Sequence, residues 1–420
     1  MPESLPDSLP DSIPEPIPGP ALAALGQALA QAGTPEASPP PRRLTLSEIT
    51  GHVLPMAPEH LRRVLAAHPE LPQGQAAPGD TRRFTPAETG ALRAHFARAG
   101  SRRRAWHPPP GRPVIVTLAG PAGGSGRSVA LANLAVRAAL DGWRVLVVDG
   151  DPAGRLGVRL GAGAGEGGLT DIFARDCARR ILALNAARLD RGDEPLPLGE
   201  DLAAALDRDG AALRRATPWP GLEVLPAGPD LLLADLALAG WMRMARGWTP
   251  WAALAAELGE ALGEAGAPDL ILCDTPRGLG PLALALLSAA DVLLLPVGPG
   301  GAAEAGGALD AIGRALALAA AEARALARAL GPRGAVAGPG GPRALAFLPQ
   351  AGGASGLAAE GLARLAAVPG ASLLSPLPAL GPESLPLFTD TAPGRAAELI
   401  WTAMDASWSG MARLLAPLRG

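Results

Sequence analysis

The chain has 420 residues, 48% of them apolar, with a net charge of −3, enough to bury a sizeable core in two or three domains. Its two cysteines, Cys177 and Cys273, exclude a disulfide framework and a four-cysteine metal site, and Cys273, inside an apolar run, reads as a small buried hydrophobe. No uninterrupted apolar run approaches a membrane span, and the acidic, proline-rich Met1-Pro2-Glu3-Ser4 lacks a basic-then-apolar signal, so the expectation is a cytoplasmic protein without a membrane partner.

Residues 1–41 read as a disordered, acidic, proline-rich tail. Ser4-Leu5-Pro6-Asp7, Ser8-Leu9-Pro10-Asp11 and Ser12-Ile13-Pro14-Glu15 form a short tandem repeat whose regular prolines block helix and ladder alike. Residues 42–105 read as a small helical module. Thr45 stands three before Glu48 as a capping box, Pro58-Glu59 opens a second helix, and Gly79 to Glu88 reads as a turn, a short basic strand and a third helix start. Residues 41–112 hold twelve arginines against five acids, and all five histidines. A basic module between an acidic tail and an acidic body points to a polyanion, usually nucleic acid; a merely solvated basic face is the alternative. The histidines lack metal-ligand spacing and read as surface or DNA-proximal residues.

Residues 106–113 read as a stiff proline linker. From 114 to 420, short apolar strands alternate with Ala/Leu-rich helices; the strand candidates are 114–118, 144–148, 222–226, 270–273, 292–297, 344–348 and 372–374. Such alternation predicts an α/β fold with a mostly parallel sheet flanked by helices. Trp401, Met404, Trp408, Met411 and Leu415 form one apolar stripe on a final helix. The thin polar face favours packing on the body over a membrane surface.

Three segments carry the chemistry. The run Val114 to Leu118 feeds the glycine-rich turn Gly120-Pro121-Ala122-Gly123-Gly124-Ser125-Gly126-Arg127-Ser128, which feeds a helix. In that layout backbone N–H groups and a helix N-terminus face phosphates and a hydroxyl reaches Mg²⁺. Val145 to Asp149, followed by Gly150-Asp151-Pro152, and Leu270 to Asp274, followed by Thr275-Pro276, are apolar strands ending in aspartate. A carboxylate there can hold Mg²⁺ or orient a water.

Together these segments resemble the ParA/MinD family of deviant Walker P-loop (SIMIBI-type) ATPases, specifically ParA-type partition proteins with an N-terminal helix-turn-helix such as the RepA proteins of repABC plasmids. Leu222 to Gly228, Asp274-Thr275-Pro276-Arg277-Gly278-Leu279-Gly280 and Gly394-Arg395-Ala396-Ala397-Glu398 fall in the family's order over roughly residues 42–420. The resemblance implies that Gly123, Gly124, Ser125, Gly126, Arg127, Ser128 and Val129 bind ATP. It implies that Ser128, Asp149 and Asp274 serve Mg²⁺, and that Asp151 and Arg127 act in hydrolysis. It further implies a homodimer that is associated with the nucleoid and works with DNA and a ParB/RepB-like centromere-binding protein. The basic module is similar to a MerR-like winged helix, which makes Arg62, Arg63, Arg82 and Arg83 the DNA contacts.

The family's loop carries two lysines where this chain has Ala122 and Arg127. The chain contains no lysine at all, so a genome-wide drift accounts for Arg127 but not for Ala122. Two readings stay open: an ATP-hydrolysing partition protein, and a pseudo-ATPase that keeps DNA binding as a regulator or structural partner.

Overall fold

The computed structural model describes residues 41–77, 81–98, 111–120, 127–152, 154–162, 167–227, 229–262, 267–298, 301–331, 336, 338–351, 359–378 and 395–419. The acidic tail, Arg102-Arg103-Arg104, most of the proline linker and Pro121 to Gly126 of the phosphate loop therefore lie outside the described residues.

The N-terminal module opens with β1 (Leu44–Thr45), α1 (Leu46–Glu48, continued by a π turn to Val53) and α2 (Pro58–Ala67). It closes with β2 (Gln75–Ala77), β3 (Thr81–Phe84) and α3 (Pro86–Arg98). The expected capping box is present: the Glu48 amide donates to Thr45 Oγ1 at 3.2 Å and the Thr45 amide to Glu48 Oε2 at 2.8 Å. Thr85 and Glu88 repeat it at α3. Two reciprocal bonds satisfy amides that a helix start leaves orphaned. The strands, barely legible in the sequence, form an antiparallel sheet in the order β1-β3-β2.

The body is a sheet in the order β11-β10-β9-β4-β8-β5-β7-β6, with β12 paired to β10. Its central strands β4 (Val114–Leu118), β8 (Leu270–Asp274) and β5 (Val145–Asp149) are parallel and in register, with Leu118 and Asp149 both opposite Asp274. The edge strand β6 (Arg215–Ala216) runs antiparallel to β7 (Leu222–Leu225). Strands β9 (Val292–Val297), β10 (Ala344–Ala351), β11 (Ala371–Leu373) and β12 (Leu377–Pro378) complete the sheet. The mostly parallel, doubly covered sheet matches the alternation read from the sequence.

Helix α4 (Arg127–Leu140) leaves the phosphate loop and is buried along nearly its whole length, as a helix covered on every side must be. The final helix of the body (Arg395–Arg419) lies across it. All five residues of the Trp401-to-Leu415 stripe are buried, so the stripe serves packing.

The N-terminal module is no separate bead on a linker. Leu44, Ile49, Leu61, Phe84 and Phe96 share one core cluster with α4 and the final helix. Trp401 donates to Glu48 Oε1 at 3.1 Å, and its ring stacks on His52 at 4.7 Å. His52 also pairs with Asp405 at 2.5 Å, and Arg137 of α4 reaches the same carboxylate. His52 is thus a seam residue, which corrects its reading as surface or DNA-proximal; the proline linker concealed a shared core. Gly142, at φ +86°, sits directly under the Arg93 guanidinium, where a Cβ would overlap it. A glycine there meets both the left-handed backbone and the close approach.

Candidate nucleotide site

Two of the strands that end at the candidate site, β5 and β8, are apolar until their last residue, and that residue is a buried aspartate. Asp149 and Asp274 are both fully buried, opposite each other on neighbouring parallel strands. The strands converge because Gly150 follows Asp149. Its amide donates to the Asp274 carbonyl at 3.0 Å, and a Cβ at Gly150 would come within 2.3 Å of that same oxygen. Any side chain at 150 would push the two acidic strand ends apart.

Both carboxylates resist ionisation. Burial raises Asp149 to about 7, helped by the charge of Asp274 and offset in part by amides of Asp151 and Leu156 that donate to it. Burial also raises Asp274, against the opposing pull of Arg127 and the Ser128 hydroxyl. Two buried carboxylates side by side cannot both ionise cheaply. Asp151 is half-buried and near enough to add to the strain on both.

The first turn of α4 faces this pair. Ser128 Oγ donates to Asp274 Oδ2 at 2.5 Å. Arg127 is 7% exposed and turned inward: Nε donates to Asp274 Oδ1 at 2.7 Å, Nη1 to the Gly120 carbonyl at 2.9 Å, and Nη2 to the Thr275 carbonyl. The Val129 side chain is committed to the core, so only its backbone is left for a ligand. The predicted residues Arg127, Ser128, Asp149, Asp151 and Asp274 therefore meet at one sheet edge. Gly123, Gly124, Ser125 and Gly126, together with Ala122, lie outside the described residues.

Sequence reasoning missed the carbonyls of Gly120 and Thr275 as partners of Arg127, because backbone acceptors leave no trace in residue type. It also passed over Gly150, for which the Asp-Gly-Asp spacing was the available signal. Among the described residues no group of three His, Cys, Asp or Glu side chains forms a metal cage. The oxygens of Ser128 and Asp274 instead make a sparse, hard-oxygen set of the kind that suits Mg²⁺ shared with phosphates. A cleft of about 60 Å³ opens beside Gly120 and Thr275, between the loop that follows Asp274 and the helix after β9.

The arginines proposed for DNA sit on the module surface with mixed commitments. Arg62 and Arg63 are exposed on α2, and Arg62 pairs with Glu59 at 3.3 Å. On β3, Arg82 is exposed and donates to Gln73, while Arg83 is half-buried opposite Gln75 and Thr45. Part of the basic surplus is spent internally: Arg42 on Glu48, Arg112 on Asp291, and Arg93 by burial against the body.

A parallel sheet whose central strand leads into a glycine-rich loop and helix, with aspartates at the neighbouring strand ends, defines a P-loop nucleotide-binding domain. Residues 116–321 match the CobQ/CobB/MinD/ParA nucleotide binding domain, so this part of the chain is a P-loop domain of the ParA/MinD type. It is similar to the chromosome-partitioning ATPase Soj of Thermus thermophilus, 33% identical over 182 residues, which cover 43% of this chain and 53% of Soj. The chain thus spans about half the length of the curated relative it matches. Among solved structures, one described as a partition protein aligns over 96% of this chain and 98% of its own, at 18% identity and a TM-score of 0.53, which speaks to the fold. An ATP complex of a McdA variant from Cyanothece aligns over 73% and 97% at 16% identity, with a TM-score of 0.47.

Proposed function

We propose that this chain is a partition protein that binds ATP at the strand-end edge and DNA through its N-terminal module. The observation that carries the reading is the meeting of Ser128, Asp149 and Asp274 where the glycine-rich loop enters α4. Ser128 and Asp274 would hold Mg²⁺, with Asp149 behind them. When bound, that ion neutralises charge on the phosphates. Asp151, half-buried next to the pair, would orient the attacking water, and the loop amides would wrap the phosphates.

DNA binding is supported by two helices followed by paired strands, with Arg62, Arg63 and Arg82 exposed on them and Arg83 half-buried beside Arg82. These side chains would mostly contact phosphate, which positions without reading sequence. A homodimer is supported by Leu232, Leu233 and Leu236, which are 76%, 63% and 75% exposed. The intervening Asp235 accepts from the Leu282 amide at 2.9 Å, which ties this apolar group to the segment after Asp274; clustered exposed leucines mark an interaction surface. A ParB/RepB-like protein would complete the system, at the nucleoid in the cytoplasm. Among the described residues no helix is long and apolar enough to cross a membrane.

The second reading, a pseudo-ATPase that keeps DNA binding as a regulator or structural partner but has lost hydrolysis, is favoured by the inward posture of Arg127 and by Ala122. ATP binding and turnover measured with and without DNA separate the two. DNA-stimulated turnover supports the first, whereas binding without turnover, restored by Ala122→Lys with Arg127→Lys, supports the second. No ATP binding at all overturns the first, and loss of DNA binding as well overturns both. Replacing Arg62, Arg63, Arg82 and Arg83 with alanine is expected to weaken DNA binding and flatten its salt dependence; unchanged affinity removes the winged-helix assignment.

A further inference from the structure

Arg127 stands where a phosphate-binding lysine is expected, yet its side chain is spent on protein. Three of its donors go to Asp274 Oδ1, the Gly120 carbonyl and the Thr275 carbonyl. Those acceptors belong to the start of the phosphate loop and to both residues at the β8 strand end. The remaining oxygen of Asp274 accepts from Ser128. Asp149 lies in register on the next strand, so Arg127 is bonded to one member of the buried acidic pair.

A guanidinium reaches further than an ammonium, and its planar fork binds several acceptors at once. A lysine could not span a carboxylate and two carbonyls in this way. Arg127 is also the first residue of α4, so folding its side chain back toward β8 ties Gly120, where β4 hands over to the loop, and the start of α4 to the same strand end.

We propose that Arg127 is a built-in cation: in the nucleotide-free chain it occupies the carboxylate position that a divalent ion would take and fastens Gly120 and the start of α4 to β8. The inference rests on the nucleotide reading only in taking the strand-end carboxylates as the seat of a metal. It follows that the empty protein needs no Mg²⁺ to settle these carboxylates, and that a metal-bound nucleotide must displace the Arg127–Asp274 contact. Arg127 is here a positioning residue.

The test is thermal unfolding of the full chain at pH 8 without nucleotide, in millimolar MgCl₂ or in a chelator. The wild type is expected to melt at the same temperature in both. Arg127→Met, close in volume but uncharged, is expected to melt a few degrees lower in chelator, because removing one partner of a buried ion pair leaves the other uncompensated, and to recover part of that loss in Mg²⁺. Arg127→Met with Asp274→Asn is expected to lose the Mg²⁺ response. Arg127→Lys, which keeps the charge, is expected to stay indifferent to Mg²⁺.

An Arg127→Met protein that melts like wild type, or that is weakened without responding to Mg²⁺, overturns the proposal. So does a wild type that responds as strongly as the variant. Should Arg127→Met fold only when Mg²⁺ is present throughout, the proposal is supported; failure in both buffers counts against it. Binding of a fluorescent ATP analogue to the wild type is measured in parallel. Its absence, with the Mg²⁺ pattern intact, removes the nucleotide reading and leaves the built-in cation standing.

Discussion

The two edges of the central sheet carry the same residue type in opposite electrostatic settings. At the edge where strands begin, Asp269 receives Arg144 at 3.0 Å and Arg419 at 3.0 Å, and Asp291 receives Arg112 at 2.8 Å. Burial pushes Asp269 up, but hydrogen bonds from Arg144 and Arg419 outweigh it and hold the carboxyl below its ordinary range. At the edge where strands end, burial wins: Asp149 is raised to about 7, and Asp274 is raised even with Arg127 against it. One edge is neutralised for stability and the other is left short of positive charge. Buried carboxylates whose ionisation is this strongly perturbed cluster at functional sites.

Three experiments can break or sharpen this contrast. The largest effect is expected from Asp269→Ala, which leaves the 2% exposed Arg419 without its carboxylate. Removing one partner of such a pair costs about 3–5 kcal/mol, read as the change in urea unfolding free energy. A loss below about 1 kcal/mol would show that the strand-start edge is not the structural one.

The next effect is a pH slope. A carboxyl whose folded value is raised binds a proton that the unfolded chain releases earlier, so folding loses stability as pH rises. For Asp149 the window runs from the ordinary carboxylate value of 3.8 to about 7, at no more than about 1.4 kcal/mol per pH unit. Asp269 acts in the opposite sense: its contribution is present above the ordinary value and is lost as pH falls through its lowered one. Urea titrations of the wild type and of Asp149→Asn between pH 4 and 8 check the first window. The variant is expected to lose that slope, and an unchanged slope would assign it elsewhere.

The smallest effect is expected from Arg144→Ala. Its side chain is 51% exposed, and solvent screening holds such a pair to about 1 kcal/mol or less, read as a minor shift of the urea midpoint. A larger loss would mean that Arg144, rather than Arg419, carries the strand-start edge.

Much of this was legible in the sequence because the signals are local. The strands β4, β5, β8 and β9 are mainly apolar runs bounded by turns, and the capping boxes at Thr45 and Thr85 are four-residue patterns. Asp149 and Asp274 stand at strand ends by position alone. The stripe from Trp401 to Leu415 announced a buried face without naming what covers it. Hidden from sequence were the facts that depend on partners far along the chain: His52 against Trp401 and Asp405, Arg93 over Gly142, and the division of the arginines between the module's surface and its interior. A surplus of basic residues shows the sign of a field, and folding decides which charges remain outside.

By itself the sequence determined the alternation of strands and helices, the glycine-rich loop between β4 and α4, and the acidic strand ends, because each follows from short-range periodicity and turn chemistry. Only the tertiary structure decided that the N-terminal module shares the body's core and that Arg127 points at Asp274. A side chain's direction and a carboxylate's burial are set by what the rest of the chain packs around them.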